Sequence, residues 1–463
     1  MTAEVGPATE GTTRLTYGIR ENLGQFLHQL LQVLLVGFAL GMMRTVVPAL
    51  AESEFGVARG SFLLLTAFVV AFGVVKGVMN FVAGRLSERV GRKRVLLWGW
   101  IVALPIPMMI YAAPSWGWIV AATVLLGVNQ GLTWSMTQTA KLDITRPDQR
   151  GLTLGLNEFS GYVGVALAGV LTAYAAAALG PRLGLLLFGL VVVVAALTLT
   201  LVAVRDTLPW AQAETARHAR LSPEASRPRY PEGVPDSPTT WQAFALMSWG
   251  DRRLAAISQA GLVEKFVDVL LWVIVPVFLY QRGVDLPVIG WIVGVYGFVW
   301  GGSQLLTGRL SDHVGRFWPN VLGMWICGAG VVLFVLGEGA GWWAFAAGVA
   351  GFGMALLYPN LSAAVADIAP PVWRGSAIGI YRFWRDLGYG IGALGLGVAA
   401  HLTSALEAAF WFVAVAMGLS GALLWWWGEE THPRLNATAL ERSGRPVGAI
   451  GAPAWQSKMR QDL

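Results

Sequence analysis

The stretch Gly84–Arg94 (GRLSERVGRKR) is a short hydrophilic turn wedged between two long apolar runs, and a second copy, Gly308–Arg316 (GRLSDHVGR), follows 224 positions later. The same offset relates Leu86 to Leu310, Val90 to Val314, Gly91 to Gly315 and Arg92 to Arg316. It holds without a gap at Asp143/Asp367, Pro147/Pro371, Arg150/Arg374, Gly151/Gly375 and Gly155/Gly379. A register kept over so long a stretch marks an internal duplication. Two homologous membrane halves point to a secondary transporter.

Working outward from the turns, apolar runs long enough to span a bilayer, about 20 residues each, lie at 25–50, 60–83, 95–114, 116–139, 152–178 and 182–204. Six more lie at 254–281, 286–307, 319–338, 341–365, 374–402 and 406–427. The expected organisation is an N-terminal tail at 1–24, a six-helix bundle at 25–204, a linker at 205–253, a second six-helix bundle at 254–427 and a tail at 428–463. The linker carries Pro209, Pro223, Pro228, Pro231, Pro235 and Pro238 among polar residues, so it cannot bury a core. A short surface helix is expected near Trp210–His218.

Composition agrees. Charged residues are 13% of the chain and hydrophobic ones 55%, too little polar surface to coat a globule in water. The 22 tryptophans suit the membrane interface. Assigning both tails, the linker, the two turns, the 140–151 loop and the loop that ends at Arg374 to one side puts 25 of the 33 Lys and Arg there and only Arg59, Arg182 and Arg282 opposite. That side is then the cytoplasm, and the +6 net charge is a topology signal rather than a nucleic-acid footprint. The polar start, Met1–Arg20, argues against a secretory leader. The single cysteine, Cys327, excludes an intrachain disulfide and a cysteine-based metal cluster. Asn436-Ala-Thr fits a glycosylation acceptor but falls on the cytoplasmic side, where the match is read as chance.

The turn GRLSERVGRKR resembles the loop between helices 2 and 3 of the major facilitator superfamily, and its second copy resembles the degenerate repeat between helices 8 and 9. The resemblance implies an all-α membrane protein: twelve transmembrane helices in two pseudo-symmetric six-helix bundles that rock about a central site. It also implies that the turn's carboxylate latches one state by engaging basic residues and a helix N-terminus of the other bundle. Glu88 and Asp312 would take that role, with Gly84, Gly91, Arg92, Gly308, Gly315 and Arg316 shaping the turns. The family usually has Asp where this chain has Glu88. The physics is independent of the likeness, since glycine permits a tight turn and an acid favours the positive end of a helix dipole. Drug-exporting branches carry an arginine three residues before a Gln-Gly pair; here Gly127 precedes Gln130-Gly131, and helix 5 has Gly161, Gly164 and Gly169 without proline. Both departures weaken drug export. RFWRD in helix 11 and LNEF in helix 5 resemble prokaryotic members of no stated substrate.

Polar residues inside spans face a cavity or one another. By resemblance, helices 1, 4, 7 and 10 line the pathway, which makes Arg44, Gln130, Thr133, Thr137, Tyr358 and Asn360 substrate candidates; Arg382 of helix 11 joins them as a membrane cation able to orient a substrate. Lys141, Asn129 and Gln138 stand beside them, and Pro359 frees a backbone carbonyl in mid-span. Rows such as Gly388, Gly390, Gly392 and Gly395 read as close-packing surfaces. Glu158 and Asp386 are the membrane acids expected to carry a coupling proton. Lys76 lies eight residues before Gly84, ~12 Å deep at 1.5 Å per residue. With helix 2 beside helix 11 it could join Arg382, Arg385 and Asp386 in a charge cluster, where Arg382 and Asp386, one turn apart, could neutralise each other. Glu264 and Lys265 are expected to snorkel toward the surface. In the duplicated register Glu158 and Arg382 are equivalent, but their placement in different bundles argues against a direct salt bridge.

The expected function is secondary transport of a small solute by alternating access, as proton-coupled export (antiport). The alternative is a carrier or exchanger for small organic anions. Expected partners are the solute, a proton or other coupling ion, and the lipid of an inner or plasma membrane with both termini cytoplasmic; a monomer is expected. No cofactor or metal is called for, and no nucleophile–base pair suggests an enzyme. A receptor would need a signalling domain, which the polar linker and tail are too short to supply.

Overall fold

The computed structural model describes residues 15–55, 62–221 and 238–435. The Asn436 motif and much of both tails lie outside them. Helices α1 (Leu23–Ser53), α2 (Phe62–Val90), α3 (Arg92–Ala103), α4 (Pro105–Ala112), α5 (Trp116–Ile144), α6 (Arg150–Leu179) and α7 (Pro181–Val202) make the first half. Two shorter helices, α8 (Leu208–Leu221) and α9 (Thr240–Ala245), connect it to the second. The second half comprises α10 (Arg252–Val269), α11 (Val275–Gln281), α12 (Leu286–Val314), α13 (Phe317–Leu336), α14 (Ala340–Ile368), α15 (Arg374–Thr403) and α16 (Glu407–Trp427).

Counting α3 with α4, and α10 with α11, gives twelve long segments. Pro105 restarts the third span, whose backbone its missing N–H would otherwise interrupt. A π-helical stretch, Leu270–Ile274, joins α10 to α11. Among the described residues, ten helices are long and apolar enough to cross a bilayer unaided. The two that are not each carry three buried charges: α10 has Glu264, Lys265 and Asp268, and α15 has Arg382, Arg385 and Asp386. Charge that lipid would reject must be sheltered by other helices.

The hydrophilic turns prove to be mostly helix. Residues 84–90 form the last turns of α2, and the chain reverses at Gly91 alone, with φ +94°. Gly315 repeats this at +96°. A side chain at Gly91 would also strike Asp206, whose Oδ1 accepts the N–H of Arg92 at 3.1 Å. At Gly315 the obstruction is Glu430, which accepts the N–H groups of Arg316 and Phe317 at 2.8 and 3.2 Å.

Each half has its own apolar core. The halves meet most extensively where α2 packs on α15, and reciprocally where α6 packs on α12. A Cβ at Gly84 would run into the Gly375 carbonyl, and one at Gly308 into that of Gly151. Lacking side chains there, the backbones approach closely. Gly388 likewise lies against the Leu262 carbonyl.

Candidate functional site

The end of the molecule that bears the duplicated turns is a reciprocal clasp. Glu88 on α2 reaches the first turn of α15: Oε1 accepts from the backbone N–H of Ser376 at 2.6 Å, and Oε2 from its hydroxyl at 2.8 Å. Asp312 on α12 accepts from the N–H groups of Gly151 and Leu152 at the start of α6, both at 2.8 Å. These are the unpaired donors of a helix N-terminus, where the dipole also favours an anion. Arginines brace both acids, with Arg85 at 3.0 Å from Glu88 and Arg316 at 2.7 Å from Asp312.

Behind the acids the repeat loses its symmetry. Asp367 holds Arg316 at 3.1 Å and, across the interface, Arg150 at 2.9 Å. Its equivalent, Asp143, holds Arg92 at 2.8 Å and the Thr207 hydroxyl at 2.9 Å. Arg374, equivalent to Arg150, pairs instead with Glu214 of α8 through two bonds of 2.9 and 3.1 Å. Glu214 also stands 3.6 Å from Arg150, so one carboxylate from the central connector touches both halves. Outside the bilayer, burial and then the Arg316 cation hold the His432 imidazole below its ordinary pKa.

Midway along the helices lies a buried charge network. Trp134, Gln138 and Asn157 all donate to Glu158 Oε1, at 2.9, 2.5 and 2.9 Å. Arg382 Nη1 comes within 4.0 Å of the same oxygen, so the two repeat-equivalent residues do approach across the halves. Asp386 does not neutralise Arg382. Its Oδ2 takes the Asn80 amide at 2.6 Å, with Lys76 at 3.4 Å, while Arg382 Nε donates to Asn80 Oδ1 at 3.3 Å. Asn80, one turn beyond Lys76, is thus the hinge of the cluster.

In the second half, Asp268 accepts from Lys265 at 2.7 Å and from the hydroxyls of Tyr296 and Tyr389 at 2.7 and 3.0 Å. Lys265 also donates to the Tyr358 hydroxyl at 2.9 Å, which meets that of Tyr162 at 2.9 Å. Glu264 and Lys265 are fully buried and do not snorkel, because α10 packs along α15 and against α14 at their level. Trp134, Tyr162, Trp300 and Tyr358 form an aromatic wall drawn from both halves, successive ring centroids 4.2 to 5.7 Å apart.

The remaining candidates scatter. Gln130 ties α5 to the Val36 carbonyl of α1 at 3.0 Å, and the Thr133 and Thr137 hydroxyls fold back on their own helix. The carbonyl that Pro359 leaves without an intrahelical donor, that of Ala355, is taken by the Thr307 hydroxyl at 2.6 Å. Asn360 donates to the Leu356 carbonyl at 2.6 Å. Arg44 sits in α1, but its side chain lies outside those described. Asn80, Trp134, Tyr162, Trp300, Glu214 and Asp268 as a hub were not picked out from sequence as site residues. Asn80 had a usable signal in its i+4 spacing from Lys76, and Asp268 in being an ionisable residue inside a span.

Two helical halves, a polar centre shielded from lipid and a clasp between the halves define a membrane transporter. The pattern described as Major Facilitator Superfamily matches residues 30–392 and again 257–460, and the chain belongs to that family. The human organic anion transporter MFSD10 (TETRAN) superposes with a TM-score of 0.71 at 18% identity, covering 87% of this chain and 99% of that one. The proton:xylose symporter XylE superposes at 0.70 and 15%, covering 90% and 100%. At such identities the likeness concerns the fold alone. In sequence, the protein named "Uncharacterized MFS-type transporter STM4428" of Salmonella typhimurium is 25% identical over 101 residues, 22% of this chain and 26% of that one. The match therefore spans about a quarter of that relative.

Proposed function

We propose that the protein carries a small organic anion through its centre, with movement coupled to protons. One observation carries this reading: the terminal nitrogens of Arg382 and Nη1 of Arg385 are fully buried and have no hydrogen-bond partner among the described residues. Guanidinium edges matched to carboxylate geometry are costly to leave unmade, and an anionic solute would complete them. The Arg382 guanidinium lies 6.0 Å from the Trp134 ring and that of Arg385 lies 4.5 Å from Tyr358, so the aromatic wall would receive the solute's apolar body. Lys76 and Lys265 add positive charge nearby.

Proton-coupled export is the second reading, favoured by Glu158, whose Oε2 has no hydrogen-bond partner among the described residues. There the proton and a solute cation would compete for one carboxylate, giving antiport. In both readings the clasp faces the cytoplasm of an inner or plasma membrane, as the Lys and Arg bias supports. Proteoliposomes offered labelled monocarboxylates, dicarboxylates and amines under either pH-gradient orientation test the choice. Carboxylate accumulation driven by the inward proton gradient is expected; accumulation of amines alone would sink the anion reading.

A further inference from the structure

Four acids are buried at the centre, and three are well supplied with hydrogen-bond donors. Glu158 takes three side-chain N–H groups, Asp268 a lysine and two tyrosine hydroxyls, and Asp386 the Asn80 amide with Lys76 nearby. Glu264 on α10 differs. It is fully buried, and neither of its oxygens receives a hydrogen bond among the described residues. Arg385 Nε stands 4.0 Å from it, beyond hydrogen-bond reach, and is shared with Asp386 Oδ1 at 3.8 Å.

The other charged groups acting on Glu264 are Lys265 and Asp268 of its own helix and Asp386 of α15. Its titratable neighbours are Tyr381 of α15, Tyr358 of α14 and Cys327 of α13. An ionised carboxylate with no donor in a dry interior is poorly tolerated, whereas the neutral acid needs no donor for charge it does not carry. We propose that Glu264 is the proton-carrying carboxylate of this transporter, and that its protonation releases Arg385 to an anionic solute.

The step is a proton added to one carboxylate oxygen, with no other bond changed. Lys76, Lys265, Arg382 and Arg385 match Glu158, Glu264, Asp268 and Asp386 in number, with Lys141 beyond them on the Gln29 carbonyl, and a proton on Glu264 adds one positive unit to this group. Proton and anion then bind together, and the result is cotransport. The release of Arg385 to a solute rests on the anion reading, but the protonation itself can be read without any solute.

The full chain in lipid nanodiscs is titrated while the infrared C=O stretch of protonated carboxyl groups is monitored. A buried-carboxyl band is expected in the wild type, absent from Glu264→Gln and retained in Glu158→Gln and Asp386→Asn. No such band, a band that survives in Glu264→Gln, or one lost in Glu158→Gln overturns the proposal. Should Glu264→Gln fail to fold, Glu264→Asp serves: the band should shift, and an unmoved band is equally fatal. In proteoliposomes, carboxylate uptake that keeps its full pH dependence in Glu264→Gln overturns this inference alone. Absence of carboxylate uptake with the infrared result intact overturns the anion reading and leaves Glu264 as the proton site.

Discussion

Glu88 and Ser376, 288 residues apart, meet through both carboxylate oxygens, one on the backbone N–H and one on the hydroxyl. The contact closes one end of the interface between the halves, and Asp312 makes the equivalent closure on α6. Hydrogen bonds to a charged group contribute about 1.5–3 kcal/mol each. Glu88→Ala loses two such bonds and should shift the closed–open balance by at least roughly 10- to 100-fold, the equivalent of one of them. Glu88→Gln and Asp312→Asn, which keep shape but lose charge, should shift it less. Electron–electron spin distances between labels on the two halves read the shift, and unchanged distances in all three variants would remove the latch.

The glycine contacts behind the clasp set a steric prediction. A Cβ at Gly84 meets the Gly375 carbonyl on a helix that cannot yield without breaking its own hydrogen bonds. Gly84→Val should hold this end ajar, seen as faster thiol labelling of a cysteine placed on the facing turn of α15. Gly290, which has open space around it, should accept the same change without effect.

The duplication, the span count and the two latch acids were legible because each is local: a motif of eleven residues, a run of apolar ones, a fixed offset. Glu158 and Arg382 could be matched by register for the same reason. Their 4.0 Å approach was not legible, because it depends on how α6 and α15 close on one another. Asp386 illustrates the limit. Helical spacing offered it Arg382, yet packing gave it Asn80, 306 positions away. Nearness to the end of an apolar run suggests that Glu264 reaches the surface, but neighbouring helices, not depth, decide whether a charge reaches water. Pro359 marks a carbonyl freed in mid-span, and only the neighbouring helix reveals Thr307 as its partner.

Glu214 supplies a prediction about the connector. Its bidentate bond to Arg374 fills the place that repeat symmetry would give Asp143. Glu214→Ala should weaken closure by about 1–3 kcal/mol and make the closure that remains less sensitive to salt, because the ion pair that salt screens is gone. Because Arg374 and Ser376 share the first turn of α15, combining it with Glu88→Ala should give less than the sum of the two effects. Strict additivity would mean that α8 acts elsewhere.

His432 sets a pH dependence. Burial first, and Arg316 second, hold its pKa below the ordinary 6.5 in the folded protein. The unfolded chain then binds the proton more readily, so stability is full above that value and lost as pH falls through it. Melting temperature should drop as pH falls below 6.5, by a larger margin in the wild type than in His432→Gln. Parallel curves would show that the ring is not the titrating group.

The last prediction separates the two transport readings at Glu158. Three donors converge on Oε1 of this carboxylate, and its approach to Arg382 competes with any solute carboxylate for the same guanidinium. Removing its charge should therefore help an anion to bind. In the anion reading Glu158→Gln tightens carboxylate binding, whereas Arg382→Ala weakens it by roughly 10- to 100-fold, equivalent to a charged hydrogen bond of about 1.5–3 kcal/mol. In the double variant the gain from Glu158→Gln should vanish, because the guanidinium it would release is absent. In the export reading Glu158→Gln instead abolishes proton-driven transport while leaving solute counterflow measurable. Binding by scintillation proximity, set beside counterflow in proteoliposomes, distinguishes the two. Weaker carboxylate binding in Glu158→Gln, with proton-driven transport lost, would place the coupling proton on Glu158 and overturn the assignment to Glu264.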